Sequence, residues 1–478
     1  MVRYVVAALL LWVAGCAAPP PLPLPSPDIV RCQGLFAALD EGVARYGFAP
    51  GYPRPVTGFP YLRVDRFLAG FAGQELSPAA REVWLGRMAE LDYRARRVEL
   101  ASLPPWLIQA LTRRAGGPPS PALEACAQRW LEWDLAEPAR LARLEQAIHI
   151  PDAYYTGHRI LGLYPLTALM VQRGIADWHR QRREVFATPL VELPLTGQLR
   201  RYRPEATSAG PLDELPRDAL DVPAPSAAQL EDLFVRYAPV WEVDTTGDYD
   251  LPGAPRWGGA NRPSVDPARP LVYRYVSYAL WRGRPVLQLN YLLWFAARPR
   301  SGPFDILGGP LDGLLWRVTL DRRGEVLLYD SIHPCGCYHQ FFPGPGLVLK
   351  PEARQLPEPP LVPQSAPRLE AGQRVVIRLS SGSHYVQRVY ADRPSGAPYS
   401  LEDYESLYLT PTPEGRGRPL FSPDGLVAGS QRLERYLFWP MGVPSAGAMR
   451  ERGHHATAFV GRRHFDDPQL LEHLFRSR

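Results

Sequence analysis

The densest run of chemically versatile side chains is His333-Pro334-Cys335-Gly336-Cys337-Tyr338-His339. Thiolate and imidazole are the borderline-soft donors that select zinc or copper over magnesium or calcium. Cys335, Cys337 and His339, completed by His384 from another strand, therefore form a candidate transition-metal set. His333, His454 and His464 stand in reserve; seven of the ten histidines (333, 339, 384, 454, 455, 464 and 473) fall in the last third of the chain. The four donors of the run occupy odd positions and would share one face of a strand. Successive residues on that face are roughly 6.6 Å apart, so His333 and His339 would be separated by about 20 Å. Zinc holds each ligand at about 2.0–2.3 Å, so the segment must fold back to bind it. Pro334 and Gly336 supply the bends.

The same residues allow two other chemistries. Cys337, or Cys335, could be a thiolate nucleophile activated by His384, with Asp392 or Asp330 orienting the imidazole. Against this, Phe341-Phe342-Pro343-Gly344-Pro345-Gly346 leaves no room for the helix N-terminus that often acidifies such thiols. Alternatively Cys335 and Cys337 close a local disulfide across Gly336, which requires their Cα atoms to come within about 7 Å. The histidines would then be ordinary hydrogen-bonding side chains.

Other candidates are weaker. Asp244, Asp248 and Asp250 form an acidic stretch whose spacing departs from an EF-hand, so it reads as a solvated loop. Glu242 and Asp244 could pair as catalytic carboxylates. Trp241, Trp257, Trp281, Tyr291 and Trp294 could line a glycan groove, though at strand spacing they read as core. His454 and His455 point to opposite faces of any strand that contains them.

The elements that must position these residues divide the chain into an α+β protein: a helical N-terminal domain followed by a β-rich, mainly antiparallel C-terminal domain. Over 29–201 the pattern is helical, with starts at Ser77-Pro78 and Ser120-Pro121, a stop at Pro104-Pro105 and an interruption at Pro138. Five prolines spread over 202–226 suggest a linker. Ser226-Ala227-Ala228-Gln229 then has the form of a capping box. Over 227–478 the period changes to that of strands, and three hairpins are expected. They join 271–281 to 285–295, 314–320 to 325–332, and 374–379 to 384–390. Asp467-Pro468 opens a short C-terminal helix.

The first residues carry an address. Met1-Val2-Arg3 is a basic start, Tyr4–Val13 is apolar but too short to span a bilayer, and Val13-Ala14-Gly15-Cys16 ends it with small residues. This resembles the lipobox of bacterial lipoproteins. The resemblance implies a signal peptide over 1–15 and a lipid-modified Cys16. Because Ala17 rather than Asp follows, it also implies sorting to the outer membrane, facing the periplasm. The proline-rich stretch within 16–28 suits a polyproline II tether at roughly 3 Å per residue. The expected partners are the membrane through the anchor and another envelope protein or cell-wall glycan. With Cys16 lipidated, four cysteines remain in a disulfide-permissive compartment; of three possible pairings the simplest joins Cys32 to Cys126.

Composition sets the outer limits. The chain has 478 residues, 46% hydrophobic and 22% charged, which excludes a disordered polyelectrolyte. Its 54 basic and 49 acidic residues leave a formal charge of +5. Lys350 is the only lysine, and the arginines are dispersed among acids, as in Arg94, Arg96 and Arg97 between Asp92 and Glu99. Nucleic-acid binding needs a gathered basic patch and is not expected. The leading functional expectation is a lipid-anchored envelope protein with a zinc or copper site capable of hydrolysis. Its rivals are a non-enzymatic scaffold with a Cys335–Cys337 disulfide and a cysteine hydrolase.

Overall fold

Serine followed by proline starts two of the long helices, whereas Ser120-Pro121, expected as another start, lies just inside a helix that begins at Pro119 with no side-chain cap. In the computed structural model Ser26 Oγ accepts from the Ile29 N–H at 3.3 Å, and Ser77 Oγ accepts from the Ala80 N–H at 3.2 Å. These bonds satisfy amide donors that have no partner inside the helix. The structure describes residues 25–206, 214–259, 262–415 and 417–478. The leader 1–15, Cys16 and the tether through residue 24 lie outside the described residues. The tether's expected end at residue 28 already belongs to the first helix, α1 (Pro27–Tyr46).

The helical part continues through the hairpin β1 (Arg54–Val56) and β2 (Phe59–Val64). It then runs through α2 (Arg66–Ala69), α3 (Pro78–Ser102), α4 (Pro105–Ala115), α5 (Pro119–Ala136), α6 (Pro138–Ala147), α7 (Thr156–Leu161) and α8 (Tyr164–Ala187). Pro138 does interrupt a helix, since it cannot donate to the preceding turn. Around Phe36, Leu39, Trp84, Leu85 and Met88, all at most 1% exposed, the helices enclose a core. Cys32 on α1 and Cys126 on α5 are disulfide-bonded with Cα atoms 5.3 Å apart. Of the arginines dispersed among acids, Arg96 is buried: Arg96, Asp92 and Glu99 join Arg63 in one ion cluster, Arg63 Nε lying 3.2 Å from Asp92. Alternation of charge along a helix does not distinguish a wet face from an internally neutralised one.

The second part holds β3 (Gln198–Pro204), α9 (Ala227–Tyr237), β4 (Val240–Thr245), β5 (Ala254–Trp257), β6 (Pro263–Asp266), β7 (Leu271–Trp281), β8 (Arg284–Arg298), β9 (Gly309–Leu320), β10 (Val326–Ile332), β11 (Gln340–Pro343) and β12 (Leu347–Leu349). It ends with β13 (Arg374–Leu379), β14 (Val386–Asp392), β15 (Ala397–Asp403), β16 (Thr410–Pro411), β17 (Gly417–Arg418), α10 (Arg435–Phe438), α11 (Leu470–Leu474) and β18 (Phe475–Ser477). All three hairpins form, as β7–β8, β9–β10 and β13–β14. They belong to one ten-stranded sheet of order β11-β10-β9-β8-β7-β15-β3-β4-β13-β14. Pairing is antiparallel except where β15 meets β7 and β3, and where β4 meets β13. The class is therefore α+β, as expected.

Alternation decides which side chains enter the sheet's concave face. On β8 and β9, Leu289, Tyr291, Leu293, Phe295, Leu314, Trp316 and Val318 share a core with Ile377 and Leu379 of β13. The capping box at Ser226 and Gln229 forms and starts α9, whose Leu233 and Phe234 fill that core, while Tyr291 Oη donates to the Phe234 carbonyl at 2.9 Å. Residues 361–366 link the two edge strands. Phe341 N–H donates to the Leu361 carbonyl and Ala366 N–H to that of Pro343, each at 2.9 Å, while Gln364 Nε2 reaches Val389 O at 2.6 Å. The sheet edges are thus covered, which blunts edge pairing with other chains.

The stretch 202–226, expected as a linker, is in part structural. Tyr202 to Pro204 complete β3, and Leu220 and Val222 are buried in the helical core. Proline spacing cannot reveal this, because proline is compatible with both linkers and covered irregular chain.

Candidate functional site

After β10 the chain makes the expected turn. Gly336 has φ +90° and Tyr338 has φ +64°. A Cβ on Gly336 would meet the Ala456 carbonyl at 2.5 Å. Glycine is therefore required there for both conformation and space. The turn closes with His333 N–H donating to Cys337 O at 3.0 Å. It is pinned from outside by Arg450 Nε on Cys335 O at 3.2 Å and by His455 Nε2 on Pro334 O at 3.1 Å.

Across this turn the histidines separate. His333 faces the sheet interior and bonds Asp312 through Nδ1 at 3.1 Å. His339 lies on the other side, its Nε2 2.8 Å from Asp330, which is itself held by Arg317 Nε and Nη2 at 2.9 and 2.6 Å. His384 is neither with His339 nor with Asp392. It sits in the β13–β14 turn at φ +51°, stacked on Phe295 with centroids 3.9 Å apart, and its Nδ1 and Nε2 reach Asp312 and Asp250 at 2.8 and 3.1 Å. Asp392 instead pairs with Arg201 at 2.9 Å near the surface. His454 neighbours Glu451 at 3.8 Å, and His464 bonds Asp152 at 3.0 Å. Among the described residues no three His, Cys, Asp or Glu side chains converge as a metal set. The expected donors are divided by the sheet itself, which sends His333 and His339 to opposite faces.

What the structure does assemble is a buried chain, Asp250–His384–Asp312–His333, with Arg432 Nη2 3.3 Å from Asp312. Asp250, Asp312, His384 and Arg432 are at most 1% exposed. Since both ring nitrogens of His384 face carboxylates, both must donate, and the ring is an imidazolium. Burial opposes that charge, but the hydrogen bonds and charges of Asp250 and Asp312 outweigh it and raise the His384 pKa. Burial likewise pushes Asp250 up, but His384, the Thr246 and Gly382 amides and Ser381 together hold it down at about 2. Against the effect of burial, Asp312 is held well below the carboxylate range by His333, Arg432 and His384. His333 moves the other way: burial, aided by Arg298 and His384, lowers its pKa against the pull of Asp312. A neutral His333 donating from Nδ1 leaves its Nε2 lone pair free.

That ring is flanked by Tyr338 and Tyr385, with centroids 5.0 and 5.7 Å away. Arg298 donates to Tyr385 Oη at 3.1 Å, and Arg182 of α8 stacks 5.1 Å over the same ring. Trp178 of α8 covers Tyr338 at 5.2 Å. Burial raises Glu434 to about 7 against the pull of Arg432 and Arg298, so it can carry a proton near neutrality. The two thiols are free and buried. Cys335 is lowered: burial opposes this, but a hydrogen bond from Cys337 and the charge of Arg432 prevail. Cys337 is raised by that same hydrogen bond and by burial. Beside them is a cavity of about 30 Å³, lined by Cys335, Cys337, Tyr338 and Gly447. It has room for a water or two.

Asp250 corrects the expectation of a solvated acidic loop: it caps the 380s turn through Ser381 Oγ at 2.8 Å and Gly382 N–H at 2.7 Å. Asp244 accepts from the Thr196 and Gly197 amides, and Glu242 from Tyr390, so neither shows a catalytic pairing. Trp241, Trp257, Tyr291 and Trp294 are core, as expected, whereas Trp281 is half-buried against the cluster that contains Phe341 and Phe475. Asp312 was missed, although a signal existed: it shares strand parity with Leu314, Trp316 and Val318, and an aspartate on an inward face requires a cationic partner. Comparison with protein-family models, curated proteins and solved structures finds no match.

One pH dependence follows directly. The folded pKa of His384 lies above its ordinary value, so the stability it contributes is fully present below about 6.5 and is lost as pH rises through the folded value. Nitrogen-15 NMR of the imidazoles is expected to show two protonated nitrogens on His384 above about pH 6.5. Burial, with nearby arginines, depresses His454 to about 4 and His455 to about 3, so their linkage has the opposite sign and stability rises with pH between about 4 and 6.5.

Proposed function

We propose that this chain is a lipid-anchored protein of the cell envelope whose sheet carries a hydrolytic acid–base site, with His333 as the proton-transferring residue. The observation that supports it is the ordered chain of carboxylates and imidazoles ending on a neutral ring with one nitrogen unengaged. A charged His384 fixes Asp312, Asp312 fixes the His333 tautomer, and Nε2 is left to take a proton from water or a hydroxyl. Glu434 is the candidate for returning a proton to a leaving group. Arg298 and Arg182 beside Tyr385 favour a substrate carrying negative charge. His333 is 1% exposed, so substrate entry requires the α8 face bearing Trp178 and Arg182 to move aside.

The zinc or copper reading takes a narrower form in this proposal. Cys335 and Cys337 are hydrogen-bonded to each other beside the small cavity, which suits a low-coordinate soft ion there. One set of preparations tests both readings. Wild-type and His333→Ala protein are assayed on anionic ester, phosphodiester and amide substrates, and the wild type and Cys335→Ser are analysed for metal. Hydrolysis by the wild type, reduced at least about 100-fold in His333→Ala with the fold intact by circular dichroism, is the expected result. No turnover on any of these bonds would sink the acid–base reading, and metal below one-tenth stoichiometry would sink the metal reading.

A further inference from the structure

Helix α8 is barely buried. Of its 24 residues only Ala168, His179 and Phe186 are inside, and the turn leading into it from α7 exposes apolar side chains. Ile160, Leu161, Leu163, Leu166, Leu169 and Met170 are 69, 77, 63, 66, 57 and 68% exposed. At roughly 100 Å² each they present about 600 Å² of aliphatic surface, the upper end of what the largest patch on a monomer shows. Leu166, Leu169 and Met170 follow helical i, i+3, i+4 spacing, and exposed Arg173 comes next on the same stripe. Two amphipathic rings border the patch: Tyr155, 56% exposed and stacked on His158, and Trp439, 38% exposed and edge-on to the same histidine. Aliphatics flanked by Tyr, Trp and Arg match the composition that settles at a membrane–water interface.

We propose that this face seats in the headgroup region of a lipid bilayer. The choice of bilayer over a second copy rests on the lipid-anchor reading. Ser26 lies ten positions after Cys16; with Cys16 lipid-anchored, a chain of that length spans at most roughly 35 Å, so a weak apolar contact would act at high effective concentration. The consequence for the site is direct, because the same helix carries Trp178 and Arg182 over Tyr338 and Tyr385. Docking of its exposed stripe leaves the opposite, inward stripe with Trp178 and Arg182 over the site, one helix diameter, roughly 10 Å, from the lipid.

The test uses the full chain with its native N-terminal modification, on vesicles of phosphatidylethanolamine and phosphatidylglycerol. A nitroxide is placed at Leu166→Cys and, as control, at exposed Ser395→Cys, with the labelled parent as background for Cys335 and Cys337. The label at 166 is expected to be relaxed by oxygen and at least five-fold less than that at 395 by an aqueous nickel chelate. Equal nickel access at both positions overturns the proposal, as does spin–spin broadening that grows with protein density, which would place a second copy on the patch. Intact mass reports the lipid on Cys16 separately. If Cys16 is unmodified, the anchor reading fails by itself, and sedimentation of the unlipidated chain with the same vesicles decides the docking. Binding weakened at least ten-fold by Leu161→Asp and Leu166→Asp supports it, and absence of binding overturns it.

Discussion

Asp312→Asn is expected to cost roughly 3–5 kcal/mol of stability and to lower any turnover by about 10³- to 10⁴-fold. Three donors converge on the two carboxylate oxygens: His384 Nδ1 on one, His333 Nδ1 and Arg432 Nη2 on the other. An asparagine offers one oxygen and turns an NH₂ toward the remaining donor or donors. If that oxygen faces His384, the amide opposes both His333 and Arg432, and a buried guanidinium loses its counter-charge. If it faces His333 and Arg432, the amide opposes His384 Nδ1–H, and the imidazolium must either discharge or break from the site. Either way the His333 tautomer is no longer imposed. Urea denaturation reads the stability, and nitrogen-15 shifts of His333 and His384 read the tautomer and charge. The control is Asp392→Asn: that carboxylate is 45% exposed and paired with Arg201 near the surface. Its replacement should change stability by less than about 1 kcal/mol. Equal effects of the two substitutions would show that Asp312 has no special place.

The contrast between these two aspartates marks what could be read from the sequence. Local signals were legible because their physics is local. Ser77-Pro78 and the Ser226–Gln229 box fix helix starts, and apolar alternation on either side of Arg282-Gly283 and Asp321–Gly324 fixes hairpins. The turn at Gly336 was legible for the same reason. The parallel insertion of β15 between β7 and β3 was not, since strands more than a hundred residues apart are joined by packing that leaves no trace in either segment. The site failed in the same way. His384 is conspicuous in the sequence, but Asp392 and Asp330, the acids expected to orient it, are not its partners; Asp250 and Asp312 are, 134 and 72 residues away. Soft ligands are conspicuous by type, while an aspartate such as Asp312 is conspicuous only once its burial is known. The odd-position pattern of the His333–His339 segment also misled. It holds for a continuing strand, but the left-handed residues at Gly336 and Tyr338 reverse the chain and put the two imidazoles on different faces.

Loss of the Cys32–Cys126 disulfide is expected to have an effect comparable to loss of Asp312, through the unfolded chain rather than the folded one. The bond closes a loop of sequence separation 94, for which the chain-entropy relation gives about 4–5 kcal/mol. That is a large fraction of the stability of an ordinary domain. The Cys32→Ala, Cys126→Ala protein should therefore unfold at a denaturant concentration far below that of the wild type, with α1 and α5 losing their protection from hydrogen exchange first. Folding of the helical region would then depend on a compartment that allows disulfides, which is where the lipobox-like leader would send it. The same reasoning makes the state of the other two cysteines informative. A chain that has met such a compartment and still carries Cys335 and Cys337 as free thiols must shield them, and their exposures of 2 and 9% do so. Native protein is expected to bind an aromatic disulfide reagent at neither thiol within minutes, to yield two thiols per chain on unfolding without reductant, and to yield four thiols from residues 32, 126, 335 and 337 on unfolding with it. A count of zero on unfolding without reductant would mean that Cys335 and Cys337 are joined, and the thiol pair next to His333 would have to be recast as a covalent brace for the turn.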